Sequence, residues 1–252
     1  MAKVQKHTTP MWKRVLHLLI WVVVLAYFPI MMSFVSAEKA DAECQSVVAE
    51  IDNLSDDVMI TRRALEDKVK HAWPALAGTK LNDLNLYEME REIEQSAVVK
   101  KCQMYTTPGG VLHVSVLQRE PIMHVFGTSE SYYMDSEKYK MKVQPDVRAN
   151  TVVVSGNIDN NVDELIKLCL YIRADKFWRA QIEQIYVTAK HEFILIPRVG
   201  DHVIEFGTTE RMEEKFDNLF TLYKKGWKPK EWNLYNRICM KYKGQIICTK
   251  RN

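Results

Sequence analysis

KKCQMYTTPGGVLHVSVLQREPIMHVFGTSESYYMD, residues Lys100 to Asp135, decides the fold, because it reads as strand, turn, strand, proline break, strand, turn, strand. Leu112, Val114 and Val116 alternate with His113, Ser115 and Leu117, the pattern of a half-buried antiparallel strand. Pro108, Gly109 and Gly110 supply the turn before it. Pro121 has no N–H to give a ladder, so Arg119-Glu120-Pro121 marks a strand end, a bulge or an edge, where the chain leaves one sheet and enters another.

Upstream, Cys44 to Asn53 gives a short mixed strand, and a helix starts at Thr61, whose hydroxyl can cap it while Ile60 and Leu65 form a hydrophobic staple. Its apolar stripe is Leu65, Val69, Ala72 and Trp73, and Pro74 ends it. A second helix opens at Asn85, with Glu88 in capping-box position, Leu84 and Met89 as the staple, and Leu86, Met89 and Ile93 as the stripe. Strand, helix, helix, strand, strand is a compact α+β order.

Further upstream, VLHLLIWVVVLAYFPIMMSFV, Val15 to Val35, carries no Asp, Glu, Lys or Arg. At ~1.5 Å per residue about 21 residues match a ~30 Å hydrocarbon core, so the run is long enough to span a bilayer once. Trp12, Trp21 and Tyr27 suit a membrane setting, His17 near the start can stay neutral, and Pro29 only kinks the last turns. Lys3, Lys6, Lys13 and Arg14 precede the run while Glu38, Asp41 and Glu43 follow it, which puts the N-terminus in the cytoplasm and the rest of the chain outside. A cleavable signal peptide is the rival reading, since Val35-Ser36-Ala37 offers small residues to a peptidase. The run exceeds the usual apolar length of such signals, which favours retention.

Downstream, Thr151 to Ser155 is a β-branched strand, and Asn161 with Glu164 opens a helix with the stripe Leu165, Leu168, Cys169 and Ile172. Strands follow at Ile182 to Thr188, Glu192 to Ile196 and His202 to Phe206. A helix from Thr209 to Lys225 is expected to bury Met212, Phe216, Leu219, Phe220 and Tyr223 and to stop at Gly226 as its C-cap. Leu234 to Tyr242 and Gln245 to Thr249 finish the chain as a hairpin across a two-residue Lys243-Gly244 turn.

With 47% hydrophobic and 27% charged residues and a net charge of +3, the chain is neither a disordered tail nor a basic nucleic-acid-binding domain. The five cysteines, Cys44, Cys102, Cys169, Cys239 and Cys248, are too dispersed for a disulfide scaffold, and no CxxC or Cys/His spacing points to zinc. No catalytic constellation is visible: His113, His124, His191 and His202 lie in or beside strands, without HExxH, GxSxG or a cysteine-histidine motif. Asp56-Asp57, Asp163-Glu164 and Glu213-Glu214 are sequence neighbours whose side chains diverge on a helix or strand. GGVLH lacks the spacing of a phosphate loop. No catalytic residue, cofactor or metal is expected.

The β-α-α-β-β order with AVVKKCQMYTTPGGVLHVSVLQREPIMHVFG resembles a POTRA domain, and its continuation into SYYMD resembles the bacterial cell-division FtsQ/DivIB family. The matching elements are Val98 to Tyr105, Pro108, Val111 to Pro121 with its Arg-x-Pro end, and Tyr132 to Asp135. Family members often have a glycine soon after that Asp; here Ser136, Glu137 and Lys138 follow. The resemblance implies a cytoplasmic tail (1–14), one N-terminal transmembrane helix (15–35), a linker (36–43), a POTRA-like domain (44–127) and a mixed, mainly antiparallel β domain (128–252) with a C-terminal hairpin. It implies an inner-membrane, division-site scaffold that links an FtsK-like recruitment factor to FtsB-like and FtsL-like partners and the septal peptidoglycan synthase. FtsB-like proteins would dock as an added strand at Lys241, Tyr242 and the last strand, Gln245, Ile246, Ile247 and Cys248, with Lys190 near a family basic position. Another POTRA-bearing envelope-assembly protein and a periplasmic enzyme are the rival functions; the first would usually repeat the domain or append a barrel, and neither is found.

One further expectation concerns the hairpin. If Lys243 and Gly244 are its loop, Tyr242 pairs Gln245 and Cys239 lies directly opposite Cys248, close enough for a cross-strand disulfide. Two unbridged, small apolar thiols are the alternative.

Overall fold

The computed structural model describes residues 11–40, 42–52, 57–127, 130–143 and 149–251. Lys3, Lys6, Asp41, Asn53 and Asp56 lie outside the described residues, as do the side chains of Lys13, Arg14, His17, Val35, Ser36, Ala37 and Glu38. Two compact units divide the chain: the first takes the chain up to Glu50 with Arg62–Ile93 and Cys102–Ser115, the second takes Ile51–Thr61, Glu94–Lys101 and Val116–Asn252.

Helix α1 (Met11–Ala40) is continuous over 30 residues and contains Pro29. Its apolar side chains from Leu18 to Met31 are exposed on every side, Leu25 and Phe28 most of all. Among the described residues no helix is long and apolar enough to cross a membrane.

The strand, helix, helix, strand, strand order then appears as β1 (Ser46–Ile51), α2 (Arg62–Ala72), α3 (Leu86–Glu94), β2 (Val99–Thr107) and β3 (Val111–Gln118), with the strands in the order β1-β3-β2. The alternation in β3 holds residue by residue: Leu112, Val114 and Val116 are buried and their neighbours half-buried. Leu65 and Val69 of α2, and Met89 and Ile93 of α3, are the buried stripes, each pair one turn apart. Ala72 is exposed and Trp73 half-buried, so the α2 stripe is one turn shorter than expected. Asn85 caps α3 as read, its Oδ1 accepting from Glu88 N–H at 3.3 Å. Glu90 Oε1 takes the Met104 N–H of edge strand β2 at 2.6 Å.

After Pro121 the chain enters a nine-stranded sheet. Its strands are β4 (Pro121–Phe126), β5 (Ser131–Asp135), β6 (Lys140–Lys142), β7 (Val152–Gly156), β8 (Ile182–Val187), β9 (Phe193–Pro197), β10 (Val203–Gly207), β11 (Tyr235–Cys239) and β12 (Ile247–Lys250), in the spatial order β12-β11-β10-β9-β8-β7-β4-β5-β6. Five pairs are antiparallel and three, β4/β7, β7/β8 and β10/β11, parallel. Parallel neighbours need crossovers: α4 (Val162–Ala174) with α5 (Lys176–Gln181) links β7 to β8, and α6 (Met212–Thr221) precedes β11. Leu165, Leu168, Cys169 and Ile172 of α4, Trp178 of α5, and Phe216 and Leu219 of α6 share one core with Val125, Val154, Ile185, Leu195, Ile204 and Ile238 of the sheet.

Three local expectations change. Asn161 makes no cap; its Nδ2 donates to Asn157 O at 2.8 Å and meets His191 Nδ1 at 3.0 Å. After Thr221 the helix widens into a π-turn over Leu222–Gly226, in which Tyr223 is buried; before it, Phe220 is exposed and Met212, at the start of the helix, half-buried. Gly226 ends that turn without a left-handed conformation, and Trp227 N–H closes it on Leu222 O at 3.0 Å.

Candidate functional site

Strand β12 forms one end of the large sheet, and its backbone directions follow from two hydrogen bonds. Met240 N–H donates to Glu205 O on β10 at 2.9 Å, and Arg251 N–H to Leu234 O at 2.8 Å. Successive residues of a strand aim their N–H and C=O to alternate sides, so Arg237 and Cys239 face β12. Their register partners Thr249 and Ile247 answer them. The N–H and C=O of Cys248 and Lys250 therefore point away from the sheet, into the position of a next strand.

The loop into this strand departs from the expected hairpin. Observed pairs are Cys239 with Ile247, Ile238 with Cys248 and Arg237 with Thr249, so residues 240–246 connect the strands. Gly244 adopts a φ of +66°, consistent with a left-handed residue after a tight turn. Of the expected last strand, Gln245 and Ile246 lie before β12, Gln245 exposed and Ile246 packed against the core; Ile247 and Cys248 lie in it. The register differs by one residue from the expected one, which puts Cys239 and Cys248 on opposite faces of the sheet. Cys248 packs with Ile238 on the core side, where burial pushes its thiol pKa up, and both cysteines are free. The disulfide expectation is corrected accordingly.

Lys241 Nζ donates to Glu192 Oε2 at 2.6 Å, and that bond holds the Lys241 pKa above its ordinary value. Lys190 is exposed in the β8–β9 connection, two residues before Glu192, the residue that Lys241 reaches. Tyr242 projects from the loop, 58% exposed, and Ile247 is 46% exposed on the face opposite Cys248. Arg237 pairs with Glu205 at 3.3 Å and Arg251 with Asp201 at 3.7 Å. Lys190, Lys243 and Lys250 have no ion pair among the described residues. Sequence reading missed Glu192 and Lys250: the first belongs to another hairpin, and the second depends on a register that only the fold supplies.

Elsewhere the histidines are engaged: His113 stacks on Tyr105 with centroids 4.7 Å apart, and His202 Nε2 lies 2.6 Å from Tyr223 Oη. The nearest approach to a nucleophile and base is Ser131 Oγ, 2.6 Å from His124 Nε2. Ser131 Oγ also donates to Val125 O at 3.3 Å, and burial lowers the His124 pKa. Among the described residues no carboxylate orients that ring, and no His/Cys/Asp/Glu group could hold a metal ion.

Comparison with known families matches residues 42–117 to the POTRA-like domain and residues 120–249 to FtsQ/DivIB, C-terminal related. No curated protein matches the chain. Domains of these two kinds are generally non-enzymatic scaffolds. With a family match that spans half of its residues and reaches into its outward-facing edge strand, this chain belongs to the FtsQ/DivIB family.

Proposed function

We propose that this chain is a bitopic scaffold of the bacterial cell-division complex, anchored by the apolar run Val15 to Val35, with its two folded units outside the cytoplasm and an FtsB-like partner added as a strand along β12. The observation that carries the reading is the outer edge of β12, which pairs with no further strand among the described residues and where the N–H and C=O of Cys248 and Lys250 are aimed at a next strand. Strand addition draws affinity from such groups and specificity from neighbouring side chains, here Tyr242 and Ile247, both exposed. The other end of the sheet supports the choice of edge: β6 has three residues, Lys140-Met141-Lys142, with exposed lysines at both ends. Short, lysine-flanked strands are how edges are kept from pairing. The unpaired Lys190, Lys243 and Lys250 favour an acidic incoming segment.

The anchor is supported by the sequence of the run Val15 to Val35, several of whose side chains lie outside the described residues: it carries no charged residue, and about 21 residues match a ~30 Å hydrocarbon core. FtsL-like proteins and the septal synthase would follow the FtsB-like partner, and an FtsK-like factor would recruit the scaffold. A fluorescent fusion is expected to concentrate at midcell and to retain an FtsB-like protein on co-purification. An even peripheral signal with no such protein retained overturns the reading.

A further inference from the structure

A small cavity lies where β4, β7 and β8 begin and β9 ends, lined by Thr151, Ile182, Arg198, Arg173 from the last turn of α4 and Arg179 from α5. Its volume is about 10 Å³, room for one oxygen-sized group. Arg173 is already satisfied: Nη2 lies 3.2 Å from Asp57 Oδ2 and Nη1 donates to Pro121 O at 2.5 Å. Asp57 is used in turn, its Oδ1 accepting from Asn150 N–H at 2.7 Å.

Arg179 and Arg198 are different. Both are exposed, and among the described residues neither has a carboxylate within ion-pair distance. Asp175, one turn before Arg179, is held by the N–H groups of Phe177 and Trp178 at 2.7 and 3.1 Å. Beside them Thr151 Oγ1 is buried and has no hydrogen-bond partner among the described residues. A buried, unpaired hydroxyl is rare in native proteins and calls for a partner.

We propose that this cavity and its mouth bind one compact oxyanion, a carboxylate or phosphate group, with one oxygen accepting from the Thr151 hydroxyl and the charge met by Arg179 and Arg198. Guanidinium groups suit this task, because their planar forks match the paired oxygens of either anion. The site lies in the second unit, away from β12 in the strand order, and does not depend on strand addition there.

The test is titration of the full-length chain in detergent micelles with inorganic phosphate and, separately, acetate, at constant ionic strength, following the arginine side-chain N–H signals by NMR. Saturable shifts are expected in the Arg179 and Arg198 signals. Tighter binding of phosphate identifies a phosphate group as the natural ligand, and tighter binding of acetate a carboxylate. Arg179→Gln with Arg198→Gln is expected to weaken binding at least tenfold, whereas Lys243→Gln, which removes a charge elsewhere, leaves it unchanged. Thr151→Val, close in shape, is expected to weaken it several-fold. Linear shifts alone, or binding that survives the double variant, overturn the site. Unchanged affinity in Thr151→Val overturns the cavity as the place where the oxygen sits.

Discussion

Asp135 is 5% exposed, and its carboxylate accepts from Arg119 Nη1 at 2.8 Å and from the N–H groups of Glu137 at 2.9 Å and Tyr139 at 2.8 Å. The Arg119 guanidinium also lies 3.8 Å from the Tyr139 ring centroid. This network gives the Arg-x-Pro and aromatic-Asp positions a structural reason, and it accounts for the absence of the expected glycine: Lys138 takes the left-handed conformation instead, with φ of 67°. No sequence rule marks a lysine for that role, whereas Arg119 and Asp135 were legible by position. Asp135→Ala removes the nearer carboxylate from Arg119, which keeps Glu137 Oε2 at 3.4 Å, and leaves two N–H groups unanswered, so unfolding in urea is expected to show a loss of about 1–3 kcal/mol. His202, 2% exposed, is governed by a different cost. Burial lowers its pKa from 6.5, offset in part by the Trp232 backbone and by Asp201. The unfolded chain then binds the proton more readily, so this contribution to stability is complete above about pH 6.5 and is lost as pH falls toward the lowered folded value. Unfolding free energy is expected to drop as pH falls below about 6.5, more steeply than in His202→Gln, which lacks the titrating group.

At the scale of elements, the hairpin of β11 and β12 shows where sequence reasoning stops. Lys243 and Gly244 do sit in a turn, and both strands exist near their expected places. The register was not legible, because Met240 is drawn into the core and bonded to β10 while Ile246 packs inward, so neither is free to pair with the other strand. Pattern fixes which residues are apolar, but one extra loop residue exchanges the faces. The stripes of α2, α3 and α4 were legible because a buried stripe repeats every turn; the π-turn after α6 was not, since it follows from seating Tyr223 against Trp227 and Trp232. The observed register separates two proline substitutions. Ile247→Pro removes an N–H that answers β11 and is expected to destabilise the fold by about 1–3 kcal/mol. Lys250→Pro removes an outward N–H, so stability should stay within about 0.5 kcal/mol while partner binding weakens by about 1 kcal/mol. Tyr242→Ala is expected to weaken binding by about 1–3 kcal/mol without loss of stability, because the ring has little burial to lose. Thermal unfolding alongside titration of an FtsB-like partner measures both quantities for each variant.

For the whole molecule, the order apolar N-terminal helix, small α+β unit, large mixed sheet follows from three breaks in pattern: the uncharged run that ends at Val35, the helix-ending Pro74, and Pro121 between two sheets. What pattern alone left open was the order of the nine strands, because β4 pairs with β7 across two intervening strands and α6 carries the chain between parallel neighbours. Topology across a membrane depends on charge rather than packing. Lys3, Lys6, Lys13 and Arg14 precede the apolar run and Glu38, Asp41 and Glu43 follow it, and basic flanks are retained on the cytoplasmic side. Protease added to intact spheroplasts is therefore expected to digest the C-terminal units. Because α1 is expected to be uncleaved, the same protein in untreated membranes should resist extraction by high salt and still contain residues 1–37. Protection of the C-terminal units in intact spheroplasts reverses the orientation. Mature protein beginning after Ala37 replaces the anchor with a signal peptide, and the scaffold would then have to reach the division site through its partners alone.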